Sequence, residues 1–125
     1  MMPVRVQRRR TKGWRAPADA KYVGRGSRFG NPWAAVETST GWAVNWAGHA
    51  AQHKPLGLND HIPADDQRAA HSLAVELYEL WLRQQPSLLD RARRELAGRP
   101  LMCWCPDALA CHVDVLLRVV NEEPR

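Results

Sequence analysis

No run in this 125-residue chain approaches the ~18–20 consecutive apolar residues of a membrane span, so no membrane partner is expected. The N-terminal MMPVRVQRRRTKG lacks an apolar h-region, which argues against a secretory signal there. Cysteine is scarce and odd in number. All three lie between positions 103 and 111, which excludes a disulfide framework and fits a reducing, cytoplasmic location. Lysine is nearly absent among the basic residues: fifteen of 18 are arginine, the side chain that grips phosphate through two N–H groups at once. Internal repeats and low-complexity tracts are absent.

What is present is unevenly spread. Residues 1–28 carry nine basic side chains against one acid, Asp19, while the remainder is slightly negative. Local basicity of this kind suits an anionic ligand or a nucleic acid, and equally a solvated arm. Six tryptophans in so short a chain belong mostly to core or pocket wall.

Patterning predicts one domain over 1–125, with a basic N-terminal strand and loop over 1–20 and an insertion over about 35–62. PVRVQRR alternates like a half-buried strand, and KYVG reads as a second, ended by the glycines that follow. Residues 33–62 read as mostly irregular, with a short helix around GWAVNWAGHAAQH. From Asp65 the pattern turns helical, with Leu73, Leu77, Leu80 and Trp81 on one stripe until Pro86. Ser87 then offers an N-cap for a second helix that Gly98 stops. PLMCW reads as a buried strand, and a last helix opens near Ala110–Cys111. The expected fold is α/β or α+β, one small mixed sheet covered by three helices.

Two stretches carry chemistry. In LMCWCPDALACHVDVLL, alternation puts Cys103 and Cys105 on one strand face, and the loop PDALA returns Cys111 and His112 at a helix start. Zinc is the cofactor that Cys103, Cys105, Cys111 and His112 would take, although their spacing is tighter than in ordinary zinc knuckles. Alternatively, Cys105 is a nucleophile with His112 as base and Asp114 as its orienter; Cys111 and His112, adjacent on a helix, would not face each other. The plainest reading makes Cys103 a small buried hydrophobe and pairs Asp114 with Arg118. The expected division is Cys105, Cys111 and His112 at one polar site, with Cys103 buried apart.

The second stretch is YVGRGSRFGNPW. Gly24, Gly26 and Gly30 let the backbone turn tightly and approach a ligand, Arg25 and Arg28 supply charge, and Ser27 and Asn31 supply directional hydrogen bonds. A turn that merely closes a strand uses the same residues. Three functions follow as expectations. The first is a pocket for a phosphorylated small molecule or nucleotide between loop 24–32 and the turn over 103–114. The others are a nucleic-acid-binding module built on the basic N-terminal region with Trp14 as a stacking platform, and a zinc-stabilised interaction protein.

Taken together, GWRAPADAKYVGRGSRFGNPW, LYELWL, RRELAGRPLMCWCPDALACHVDVLL and VVN resemble a small domain-of-unknown-function family, numbered four-three-two-six, found in bacterial and phage genomes. Its members look like GWR.P..A.YVGRPS.WGNP, then YRAWL, ELRGRDLACWC and PCHADVLL. The resemblance places the family's loop on Gly24, Arg25, Ser27, Gly30, Asn31 and Pro32. It places the family's CWC and CH.D on Cys103, Trp104, Cys105, Cys111, His112 and Asp114. This chain departs from the pattern at Gly26, where the family has proline, and at Phe29, Ala110 and Val113. The resemblance implies no particular reaction.

Overall fold

The computed structural model describes residues 3–49, 52–54 and 57–122. Three short strands, β1 (Arg5–Gln7), β2 (Lys21–Tyr22) and β6 (Leu101–Cys103), form a wholly parallel sheet in the order β1-β6-β2. Between them in sequence come β3 (Trp33–Thr38), β4 (Gly41–Trp46) and β5 (His61–Ala64), an antiparallel sheet in the order β3-β4-β5. Helices α1 (Gln67–Arg83), α2 (Pro86–Leu96) and α3 (His112–Val120) complete a single small α+β domain. Two small sheets thus replace the one mixed sheet expected. Among the described residues, no helix is long and apolar enough to cross a membrane.

The region read as irregular is the antiparallel sheet, and GWAVNW is strand β4 rather than helix. Trp42 and Trp46 are four apart, a spacing shared by periods 2.0 and 3.6, so that pair cannot choose between strand and helix. Pairing decides it: Trp33 faces Trp46 and Glu37 faces Trp42 across the hairpin.

Helix α1 is capped by Asp66, whose carboxylate accepts from the N–H of Ala69 at 2.7 Å. Its buried stripe is Ala70, Ala74, Leu77, Tyr78, Trp81 and Leu82, whereas Leu80 faces solvent. One end of this stripe meets the antiparallel sheet in a core with Trp33 and Val44. The other meets α3, β6 and Val23 in the main core. Helix α2 opens on Pro86 at its first turn with Gln85 as cap, so Ser87 lies inside the helix instead of capping it. Proline has no N–H to leave unsatisfied there, so the helix start has one fewer unpaired donor. Gly98, at φ +77°, ends the helix as its sequence position suggests.

Candidate functional site

Parallel pairing decides where the chemistry gathers. Because β1, β6 and β2 run the same way, the chain leaves all three at one edge of the sheet. Arg8 follows β1, the glycine loop follows β2 and Cys105 follows β6. The ladder continues one step beyond the strands: Arg8 N–H donates to Cys103 O at 2.7 Å, and Val23 N–H to Met102 O at 2.9 Å. Ligand crevices in open parallel sheets form at this kind of edge.

The glycine loop is held by its own polar groups. Gly24 O accepts from Ser27 N–H at 3.1 Å and from Ser27 Oγ at 2.7 Å. A side chain at Gly30 would place its Cβ 2.8 Å from Gly24 O and 3.1 Å from the Arg25 Cα, so only glycine fits that crossing. Gly26 sits at φ +94°, a value the proline ring cannot adopt. Asn31 fastens the loop to α1, donating through Nδ2 to Ala74 O at 3.0 Å while its Oδ1 accepts from Trp33 N–H at 2.9 Å. Both ends of Asn31 are therefore engaged in holding the backbone.

On the other side, β6 alternates as expected. Trp104 emerges 38% exposed, with the Arg8 and Arg10 guanidinium carbons 5.1 and 4.9 Å from its ring centre. Cys103 and Cys105 turn the other way and meet Cys111, the three sulfurs lying within 4.8 Å of one another. Cys103 Sγ and Cys111 Sγ are 3.1 Å apart. Cys103 is thus buried but not separate, which corrects the division that set it apart from Cys105 and Cys111. Cys111 is the cap of α3, with extended backbone at φ −142° and ψ 147°, so the ~100° turn between neighbours on a helix does not apply. Its Sγ lies 3.6 Å from Nδ1 of His112, and the two residues do face each other. His112 Nε2 donates to Val23 O at 2.7 Å, leaving Nδ1 as the acceptor.

Arg5 pins the return loop. Its guanidinium donates to Pro106 O and, at 2.8 Å, to Leu109 O, and it pairs with Asp114 at 2.8 Å. Asp114 also accepts from Cys111 N–H at 3.4 Å. Asp114 therefore braces the turn; the partners of the His112 ring are Val23 O and Cys111 Sγ, so Asp114 does not orient it. Arg118 pairs with Glu79 and Glu122 rather than with Asp114.

The electrostatics follow from this packing. Hydrogen bonds from Cys103 and Cys111 hold the Cys105 thiol far below its usual range, with burial opposing and the Arg5 charge adding to them. Cys103 is raised by its bond to Cys105, and Cys111 by its bonds to Cys103 and then to Cys105. Burial lowers the His112 pKa, so the ring is neutral at pH 7.

One cavity of about 350 Å³ joins the two loops, lined by Gly24, Arg25 and Asn31 on one side and Cys103, Cys105, Cys111 and His112 on the other. Ser27 and Gly30 line a neighbouring cavity of about 260 Å³, which shares Arg25 and Asn31 with the first. Arg28 lines neither cavity. It is exposed, and its charge acts on Glu95 of α2.

The family model described as Domain of unknown function (DUF4326) matches residues 6–122. The chain belongs to this family. No curated protein and no solved structure gives a significant match.

Several parts of the DUF4326 site carry no signal in the sequence. His71 and Trp33 wall the cavity, and burial lowers the His71 pKa against an opposing hydrogen bond to the Ala110 backbone. Tyr78, fully buried, donates to Phe29 O at 2.7 Å and meets the His112 ring edge-on at 5.1 Å. Arg5 reads as one more basic residue of the N-terminal strand, because only the β1–β6 pairing brings it under a turn 101 residues away.

Proposed function

We propose that this domain binds a phosphorylated small molecule or nucleotide in the cavity between the glycine loop and the cysteine turn. The observation that carries the reading is the shared lining. Gly24 and Arg25 face the same space of about 350 Å³ as Cys105 and His112, a volume at the small end for ligand pockets. Arg25 supplies the charge for phosphate, and the Trp33 and Val75 wall supplies apolar surface for a base or sugar. Gly24 keeps the backbone close to the ligand, Asn31 holds the loop in place, and Ser27 and Gly30 shape it from behind. Cys105 lines the pocket and is only partly buried, so a catalytic role for it would be that of a nucleophile.

The test is an NMR titration of the metal-free protein with AMP, ribose 5-phosphate and inorganic phosphate. Amide shifts at Gly24, Arg25 and Cys105 are expected with AMP, and Arg25→Ala should weaken binding by about tenfold, the worth of one charge-assisted contact. No shifts at millimolar AMP would end this reading.

A second reading has its own observation. Arg8, Arg9, Arg10, Trp14, Tyr22 and Trp104 line an open concavity of about 660 Å³ on the far side of β6. Arg8 lies 5.2 Å from the Tyr22 ring centre as well as over Trp104. Cations interleaved with one exposed ring, Trp104, and two half-buried ones suit a single-stranded nucleic acid, with bases stacking and phosphates paired. Binding of a single-stranded oligonucleotide should fall steeply with salt and be lost in Trp104→Ala. Absence of binding at low salt removes this reading.

A further inference from the structure

We propose that Cys103, Cys105 and Cys111 hold a soft divalent metal ion, zinc, with its fourth position open to the cavity. Three sulfurs reach one point from three different backbone settings: the end of β6, the second residue beyond it and the cap of α3. A buried cysteine serving as a small hydrophobe would turn into apolar packing. Cys103 and Cys111 do pack in the main core, but their sulfurs also touch each other at 3.1 Å, and both lie within 4.8 Å of Cys105. In a tetrahedral zinc site with Zn–S bonds of ~2.3 Å, the sulfurs stand ~3.8 Å apart, so a small opening of this cluster would admit the ion. Thiolates select zinc over magnesium or calcium, which demand oxygen.

The surroundings are built in the same sense. His112 is buried, and its Nε2–H donates to Val23 O, so the lone pair of Nδ1 points at Cys111 Sγ from 3.6 Å. In the metal-free protein the Cys111 thiol can donate to that lone pair, which holds its sulfur in place at the cluster before a metal binds. Three thiolates around a divalent ion leave one net negative charge. Arg5, with its side chain only 12% exposed, stands beneath the turn, where its charge favours the Cys105 thiolate although it is also paired with Asp114. His112 falls outside the group of mutually close sulfurs, so it is a positioning residue and not a fourth ligand. Cys105 is only partly buried and lines the cavity, which leaves the fourth position facing the pocket ligand.

The proposal stands apart from the AMP titration, because that experiment uses metal-free protein and each can fail alone. The test is Co²⁺ loading of the full chain under reductant, read by absorption, with zinc content measured in parallel. One equivalent of metal is expected, with thiolate-to-cobalt charge-transfer bands in the near ultraviolet and intense tetrahedral d–d bands. Cys105→Ser should weaken Co²⁺ affinity by at least about tenfold and reduce the charge-transfer intensity, whereas His112→Ala should retain both bands. Azide should shift the d–d bands by taking the open position. Substoichiometric metal without charge-transfer bands overturns the site, as does a Cys105→Ser spectrum identical to that of the parent. A spectrum blind to azide and abolished by His112→Ala overturns the open position and makes the site a closed Cys₃His one.

Discussion

The two sheets differ in length, in direction and in what they carry. The antiparallel sheet has strands of four to six residues and its own core with α1, yet it gives the site only a wall, through Trp33 and Ala35. The parallel sheet has strands of two and three residues, and the glycine loop, the cysteine turn and the arginine–tryptophan face all follow its strand ends. Direction explains the contrast. Antiparallel strands send successive connections to opposite ends, so no edge collects them. Parallel strands end together, so three sequence segments from distant parts of the chain are delivered to one place.

That contrast can be broken from either side. Leu77→Ala removes a large side chain from the core under the antiparallel sheet and should cost ~2–5 kcal/mol in denaturant unfolding. Cobalt binding in the folded fraction should be unchanged, and a lost charge-transfer band would show that the two regions are not separable. Gly30→Ala strikes the parallel edge, where the new Cβ meets backbone that cannot yield easily. It should cost ~1–3 kcal/mol and move the amide resonances of Gly24 and Arg25, while Val44 stays in place. An alanine variant as stable as the parent would mean that the loop crossing is looser than described.

The smallest effect belongs to neither sheet. Glu79 of α1 is held below the ordinary glutamate range by hydrogen bonding from Arg118, with burial opposing and Arg83 assisting. A depressed carboxylate contributes stability at neutral pH that is lost as pH falls through its folded-state value. Urea midpoints should therefore drop on acidification below about 4.5, and Glu79→Gln should flatten part of that slope. The size is well under about 1 kcal/mol, because solvent screens the pair. An unchanged slope in Glu79→Gln would assign the acid loss elsewhere.

How far the sequence could be read also divides along the sheets. Strands β1, β2 and β6 are short, but each is bounded by turn residues and carries an alternating or apolar pattern. The β3–β4 hairpin hides because its turn, Ser39–Thr40, lacks the glycine or asparagine that advertises a two-residue loop. Within the site, the cysteines and Arg25 stand out by residue type, and the cavity they share follows from the strand ends. Chemistry that depends on pairing does not show. Nothing near Arg5 announces Asp114, and nothing in CH predicts that a cap residue turns its sulfur back onto the following ring. Asn31 looks like a ligand residue by type, but its hydrogen bonds go to backbone.

The strand order has a further consequence, in time rather than in space. β1 and β2 are both synthesised within the first 22 residues, yet they do not pair with each other, and the strand between them begins at residue 101. During translation both early strands stay unpaired while the hairpins and α1 emerge, and those local elements can form without them. The parallel sheet closes only when Leu101–Cys103 arrives, and Arg5 meets Asp114 later still. Such late, non-local closure is the slow kind. A nascent chain halted before residue 101 could hold Asn31 against α1 but would lack the cysteine turn altogether, so this domain completes its site only in a late step.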